Sequence, residues 1–251
     1  MVTKPEWIAA DWPAAPQIKA FTTTRKNGYS IIPYDSFNLA MHVGDDPNAV
    51  YKNRAALQEA LLLPQAPCWL NQTHSTQVVR LTAPTCDTPP EADASVTNQP
   101  GIVCAVLTAD CLPILLCDRA GTQVAAIHAG WRGLLNGIID ETLNTLSLPG
   151  EQLMAWLGPA IGPQAFGINE DIRQQFIDRH PAFEAGFLQH HNQWHGNLYQ
   201  LAKINLAQRG VTTVSGGDFC TQSEPDRFFS YRGAKNNQTG RMATLIWIAS
   251  H

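Results

Sequence analysis

Apolar residues in this chain come in short, almost unbroken runs, separated by polar segments rich in Gly, Pro, Asn and Thr. Three such runs follow one another over 101–108, 112–117 and 122–128, the last two joined by a turn at Asp118-Arg119-Ala120-Gly121. Runs this short, without polar alternation, predict central strands covered on both faces. Further strands are expected over 18–23, 77–81, from 94 onward, and over 153–157, 211–214 and 243–248. Helical spacing governs other segments. Residues 47–62 put Val50, Leu57 and Leu61 on one face, with Asp46 as N-cap and Pro47 at the first helical position. A second helix is expected over 134–146, a third from the cap Asn169 to about Arg179, and a fourth over 198–208 with Gly210 at its end. Segments 32–44, 82–90 and 158–163 hold too much Gly, Pro or Thr for regular structure and read as loops. The expectation is one mixed α/β (α+β) domain over 1–251, with helices covering stacked sheets and residues 1–17 peripheral.

Composition narrows the class. A chain of 251 residues, 44% hydrophobic and 15% charged, buries a substantial core. A net charge of −4 with no run of Lys or Arg argues against a nucleic-acid partner. The N-terminus shows no basic stretch followed by an apolar one, and no apolar run reaches ~18 residues, so a cytoplasmic protein with no membrane partner is expected. The six cysteines are scattered or sit inside apolar runs, and none forms a C-x-x-C pair. This favours reduced thiols over a disulfide framework or a structural zinc site.

Candidate chemistry gathers at two strand ends. In Thr108-Ala109-Asp110-Cys111-Leu112-Pro113 and His128-Ala129-Gly130-Trp131-Arg132-Gly133, a cysteine and a histidine each meet turn residues where a side chain can leave the core. His74, in the loop Asn71-Gln72-Thr73-His74-Ser75, is a third candidate. Two imidazoles and a thiolate form the kind of three-ligand set that catalytic zinc uses. Cys104 and Cys117 are expected to stay in the core as small hydrophobes. Arg132, at the approach to a helix, is a candidate anion site. His42 is a candidate pocket residue, whereas His190, His191 and His195 lie in a polar stretch and read as exposed.

These two motifs together resemble the YfiH family, whose members are also labelled laccase-domain or polyphenol oxidase proteins. Supporting matches include Thr23-Thr24-Arg25, Asn38-Leu39, Gly44-Asp45, Asn53-Arg54, the Gly158–Pro163 loop, Phe229-Ser230-Tyr231-Arg232 and Thr239-Gly240-Arg241-Met242-Ala243, so the resemblance covers 18–248. It implies a layered α/β/β/α sandwich with mixed sheets, related to the catalytic domain of a bacterial cytotoxic necrotizing factor. It implies zinc on His74, Cys111 and His128, with copper as the alternative that the family label suggests. The implied activity is phosphorolysis of purine nucleosides (inosine, adenosine, methylthioadenosine) to base and ribose 1-phosphate, with adenosine deamination as a further reaction. The partners are then a purine nucleoside and phosphate, in a monomer or weak homodimer. Cys111, His74, His128 and Arg132 would carry the chemistry. Arg25, Asn38, His42, Arg54 and Arg232 are candidates for substrate contacts. The chain departs from the family pattern at Thr73 and Ser75 around the first ligand, at Gly167, and at Gly233-Ala234.

Three other functions compete. A metal-independent cysteine hydrolase would use Cys111 as nucleophile and His128 as base on an amide of a cell-wall precursor. A copper polyphenol oxidase is less favoured, because such sites take many histidines and this chain has eight and no His-x-His pair. A non-catalytic binding module is the fourth. Deamination needs a proton shuttle, for which Asp110 and Asp93 are the candidates.

Overall fold

The computed structural model describes residues 4–83 and 88–250; Cys86 and the centre of the 82–90 loop lie outside them. The strands are β1 (Trp7–Ala9), β2 (Ile18–Thr23), β3 (Val78–Arg80), β4 (Ala94–Thr97), β5 (Cys104–Thr108), β6 (Leu112–Asp118), β7 (Val124–Ala129), β8 (Leu153–Leu157), β9 (Gly167–Ile168), β10 (Phe187–His190), β11 (Gln193–Gly196), β12 (Thr213–Gly216) and β13 (Met242–Ile248). The α-helices are α1 (Pro47–Ala60), α2 (Trp131–Asn136), α3 (Ile138–Leu146), α4 (Glu170–Arg179) and α5 (Leu198–Gln208).

Two sheets stack face to face. One has the order β1-β2-β13-β5, the other β12-β8-β6-β7-β4-β3, and a small sheet β10-β11-β9 lies apart. β12 pairs with β8 and β3 with β4 in parallel, and the remaining pairs of the six-stranded sheet are antiparallel, so it is mixed. The period-2 geometry of a strand assigns alternate residues to opposite faces. Leu115 and Cys117 of β6 therefore meet Cys104 and Val106 of β5, Ala126 of β7 and Ile246 of β13 between the sheets. Ile114 and Leu116 point the other way, into a core with Leu134, Ile138, Leu143, Leu201 and Leu206 of the helices. On the outer face of the four-stranded sheet, Ala105, Leu107, Ala243 and Leu245 pack with Leu57 of α1. The layers are thus helix, sheet, sheet, helices. Every residue of β5, β6, β7 and β13 is buried, which explains why these strands read as continuous apolar runs rather than alternating ones.

Caps behave as expected. The Asp46 side chain accepts from Asn48 N–H and that of Asn169 from Ile172 N–H. The helix expected over 134–146 is instead two helices broken at Gly137, whose φ of 102° lies in the left-handed region and ends α2. The last-but-one strand lies at Thr213–Gly216, two residues beyond its expected position. The polar segment around His190 forms a hairpin, turned by His191 and Asn192 with φ of 47° and 60°. That is the left-handed pair a two-residue hairpin loop requires. His190 and His191 are exposed there, but His195 is half-buried within β11. Trp7–Ala9 adds an edge strand on β2, so the N-terminal segment is tied to the sheet. No helix among the described residues is long and apolar enough to cross a membrane.

Candidate metal and active site

At one end of the sandwich the chain passes from β5, in one sheet, to β6, in the other, through Ala109, Asp110 and Cys111. Asp110 makes this crossing with a φ of 84°. Its conformation is held from three sides: the carboxylate accepts from Thr221 Oγ1 (2.6 Å) and Arg232 N–H (2.6 Å), and its carbonyl from Ile161 N–H (2.9 Å). A non-glycine residue stays in this region only when its surroundings hold it there. The crossing delivers Cys111 to the end of β6, where Pro113 pairs with His128 of β7.

A single carboxylate organises both histidines. Asp93, fully buried before β4, accepts from the backbone N–H groups of Thr73 (3.2 Å), His74 (3.1 Å) and Ser75 (2.6 Å) and from Ser75 Oγ (2.7 Å). It also lies 2.7 Å from His128 Nδ1. The loop carrying His74 is further tied to β5 by Gln72, whose side-chain amide donates to Leu107 O and accepts from Leu107 N–H, each at 2.8 Å. His74 itself has a φ of 60°.

The result is a compact donor set. His74 Nε2 lies 3.7 Å from Cys111 Sγ, and the two imidazole rings are 4.8 Å apart at 74°. One ligating atom from each of His74, Cys111 and His128 falls within 4.8 Å of the others, which makes this a group able to hold a metal ion. His128 Nδ1 is engaged with Asp93, which turns Nε2 toward the centre, the carboxylate–histidine arrangement usual behind a metal-bound imidazole. Gly130 closes in from below. A Cβ there would come within 2.9 Å of His74 Cδ2 and 3.0 Å of Cys111 Sγ.

The electrostatics follow from this packing. Burial pushes the Cys111 thiol up, but His128 and His74 beside it overcome that and hold it at about 6. Burial pulls His128 down, but Cys111 and the hydrogen bond to Asp93 raise it to about 9. Asp93, despite burial, is held at about 2 by hydrogen bonds from His128 and Ser75. The metal-free centre is therefore a thiolate–imidazolium pair backed by a carboxylate.

The three residues open into a cavity of about 470 Å³, a size ordinary for small-molecule sites. Trp131, Ile161, Phe166 and Leu198 form apolar walls, Arg132, Arg232 and Arg241 bring positive charge, and His42 adds an imidazole. Arg132 is exposed and stacks on Trp131 at 4.4 Å. Arg232 donates to Gly167 O at 3.2 Å.

The cavity thus gathers His42, His74, Cys111, His128, Arg132 and Arg232 of the expected site residues, but not Arg25, Asn38 or Arg54. Arg25 lies in a separate surface basin, bonded to Asp35 O and Pro225 O. Asn38 is fully buried and bonds to Asp45 and to the backbone of Ala40 and Arg241. Arg54 donates to Leu39 O and stacks on Trp69 at 4.2 Å. Sequence reasoning gave Asp93 only a shuttle role and no role to Gln72 or Arg241. The partners of Asp93 lie 18–35 residues away, and nothing local to it announces them.

Fold and site together define a layered α/β protein with a thiol–imidazole donor set at the mouth of a cationic cavity. The family described as multi-copper polyphenol oxidoreductase laccase matches residues 19–249, and the chain belongs to this family, the YfiH proteins. A Shigella flexneri relative named purine nucleoside phosphorylase YfiH is 47% identical over 96% of this chain and 98% of its own. A Pseudomonas aeruginosa relative, named purine nucleoside phosphorylase PA4543, is 46% identical over the same shares of each. The crystal structure of Neisseria meningitidis protein NMB0706 superposes with a TM-score of 0.90 at 44% identity, covering 97% of this chain and 99% of that one.

Proposed function

We propose that this protein is a zinc-dependent purine nucleoside phosphorylase, acting on inosine, adenosine or methylthioadenosine with inorganic phosphate. The observation that carries this reading is one cavity joining the His74–Cys111–His128 donor set to three arginines, none of which has a carboxylate within ion-pair distance among the described residues. The names of the relatives point the same way. Unpaired guanidinium groups in a partly apolar cavity attract an anion such as phosphate. The apolar walls at Trp131, Ile161 and Phe166 suit a flat purine. With phosphate and nucleoside held together, a phosphate oxygen attacks C1′ of the ribose while the bond from C1′ to the base nitrogen breaks. The base leaves with that electron pair and takes up a proton. Holding both reactants in line converts an encounter into an intramolecular step. The donor set of one thiolate and two imidazoles suits zinc, and the single three-donor group found among the described residues offers one metal position. Zinc, when bound, supplies a fixed positive charge that polarises a substrate oxygen.

Adenosine deamination has less support. Asp93 is committed to His128 and the 73–75 backbone, and Asp110 to Thr221 and Arg232, so neither is a free proton shuttle. A second reading rests on the Cys111–His128 pair, whose thiolate and imidazolium are those of a cysteine hydrolase. Turnover of the three nucleosides, with and without phosphate, on zinc-assayed wild type and Cys111→Ala decides between them. Phosphate-dependent base release, abolished by chelation, is expected. Amide cleavage that survives chelation but not thiol alkylation would overturn the phosphorylase reading.

A further inference from the structure

Arg241 immediately precedes β13 at the end of the four-stranded sheet and lines the cavity that holds Cys111. Its position is fixed from behind. Its backbone N–H donates to Asn38 Oδ1 at 3.0 Å, and Asn38 is itself fully buried and bonded to Asp45 Oδ2. Nη1 donates to the carbonyls of Thr239 (2.8 Å) and Gly240 (3.0 Å), which anchors one edge of the guanidinium. Nε and Nη2 make no hydrogen bond among the described residues, and no carboxylate lies within ion-pair distance.

The three cavity arginines are not equivalent. Arg132 is exposed to solvent and stacked on Trp131. Arg232 is exposed and spends a donor on Gly167 O. Arg241 alone is largely withdrawn from water, clamped along one edge, and still has donors to give.

We propose that Arg241, flanked by His42, is the principal phosphate-holding residue of this cavity. The inference rests on the phosphorylase reading for the identity of its anion. Burial lowers the proton affinity of Arg241, although Cys111 and Asp110 act against it from beyond ion-pair distance. A half-buried cation with a free donor edge remains, and an arriving anion relieves its cost. His42 lines the same end of the cavity, where burial and then Arg241 and Arg54 lower its affinity for a proton. Arg241 is thus the charged group at this end of the cavity, with His42 beside it as a hydrogen-bonding imidazole. The free edge of a guanidinium presents two N–H groups in the fork that matches two oxygens of a phosphate.

The test uses zinc-loaded protein and inorganic phosphate as the probe. Calorimetry measures phosphate binding directly, and steady-state kinetics measure KM for phosphate and for inosine separately. Arg241→Gln is expected to weaken phosphate binding and raise its KM by about tenfold or more, with KM for inosine changed by less than about twofold. Arg241→Lys, which keeps the charge but loses the fork, is expected to recover part of the loss. Loss of a merely structural residue would raise both constants together, and circular dichroism with zinc content checks that the variants fold. An unaltered phosphate affinity in folded Arg241→Gln, or an equal or larger loss in Arg132→Gln, overturns the proposal while leaving phosphorolysis intact. Arg241-dependent phosphate binding without nucleoside cleavage supports the proposal and removes the phosphorylase reading instead.

Discussion

Cys111 and Cys117 sit six residues apart on one stretch of chain, yet they are opposite in chemistry. Cys117 lies between the two sheets, where burial and the neighbouring Asp118 push its thiol up to about 12. Cys104, on the strand facing it, is likewise pushed to about 12 by burial. Cys111 stands at the end of the same sandwich, where two histidines hold it at about 6. The interior of the sheets makes a thiol an inert hydrophobe. The end of the sheets, where the chain crosses from one layer to the other, makes it an anion. The difference comes from what the crossing brings beside the sulfur, not from the residues next to it in sequence.

The sharpest way to break this comparison is substitution. Cys111→Ala is expected to lower base release by about a thousandfold or more, and to remove stoichiometric zinc, whereas Cys117→Ala and Cys104→Ala keep both. Enzyme assay with metal analysis checks this, and retained zinc and activity in Cys111→Ala would erase the distinction.

Next in size is Asp93→Asn, which leaves His128 and the 73–75 loop without their carboxylate. Loss of such a partner typically weakens a metal site by about 10- to 100-fold, and zinc competition with a chromophoric chelator measures it. The same variant has a pH signature. Asp93 titrates at about 2 in the folded protein, below its unfolded value near 4. Its contribution is therefore complete above about pH 4 and lost as pH falls toward 2. His128 is raised to about 9, so its contribution is complete below its unfolded value near 6.5 and lost as pH rises through 9. In the metal-free protein both hold between about pH 4 and 6.5, and urea midpoints of wild type and Asp93→Asn across pH should converge on the acid side.

A smaller effect is expected from alkylation of chelator-treated protein. Iodoacetamide should label Cys111 increasingly as pH rises through about 6, with Cys104 and Cys117 protected by burial. Zinc should protect Cys111, and peptide mass mapping reads the sites. Labelling spread evenly over the three would contradict the contrast. Smallest is the packing cost in the sheet interior: Cys117→Ala should cost about 1 kcal/mol of stability through a small cavity, read as a shift in denaturation midpoint at unchanged activity.

Much of the site was legible because its local signals are strong. Turn chemistry after Cys111 and His128 marked both as strand-end residues, and the structure sets Cys111 immediately before β6, beside the β7 residue His128 that pairs with Pro113. The caps Asp46 and Asn169 were legible for the same reason, since a cap needs only residues two or three positions away. Asp93 and Arg241 were not given their structural roles. Asp93 draws its partners from 73–75 and from 128, and Arg241 is held by Asn38, 203 residues away. Arg54 and Asn38 looked like substrate contacts in the motif but turned inward, toward backbone carbonyls and a buried carboxylate. The break at Gly137 was also hidden, because the apolar spacing continues across it.

The sequence by itself determined the strands and helices wherever apolar period and capping agreed, and the mixed α/β class. These depend on short-range geometry: the twofold repeat of a strand, the 3.6-residue turn of a helix and the fixed reach of a cap. Tertiary structure alone decided which sheet each strand joined and which thiol became an anion. It also decided which arginine kept free donors inside the cavity. Those outcomes turn on burial and on the charges brought within a few ångströms, and both are set only when distant segments pack together.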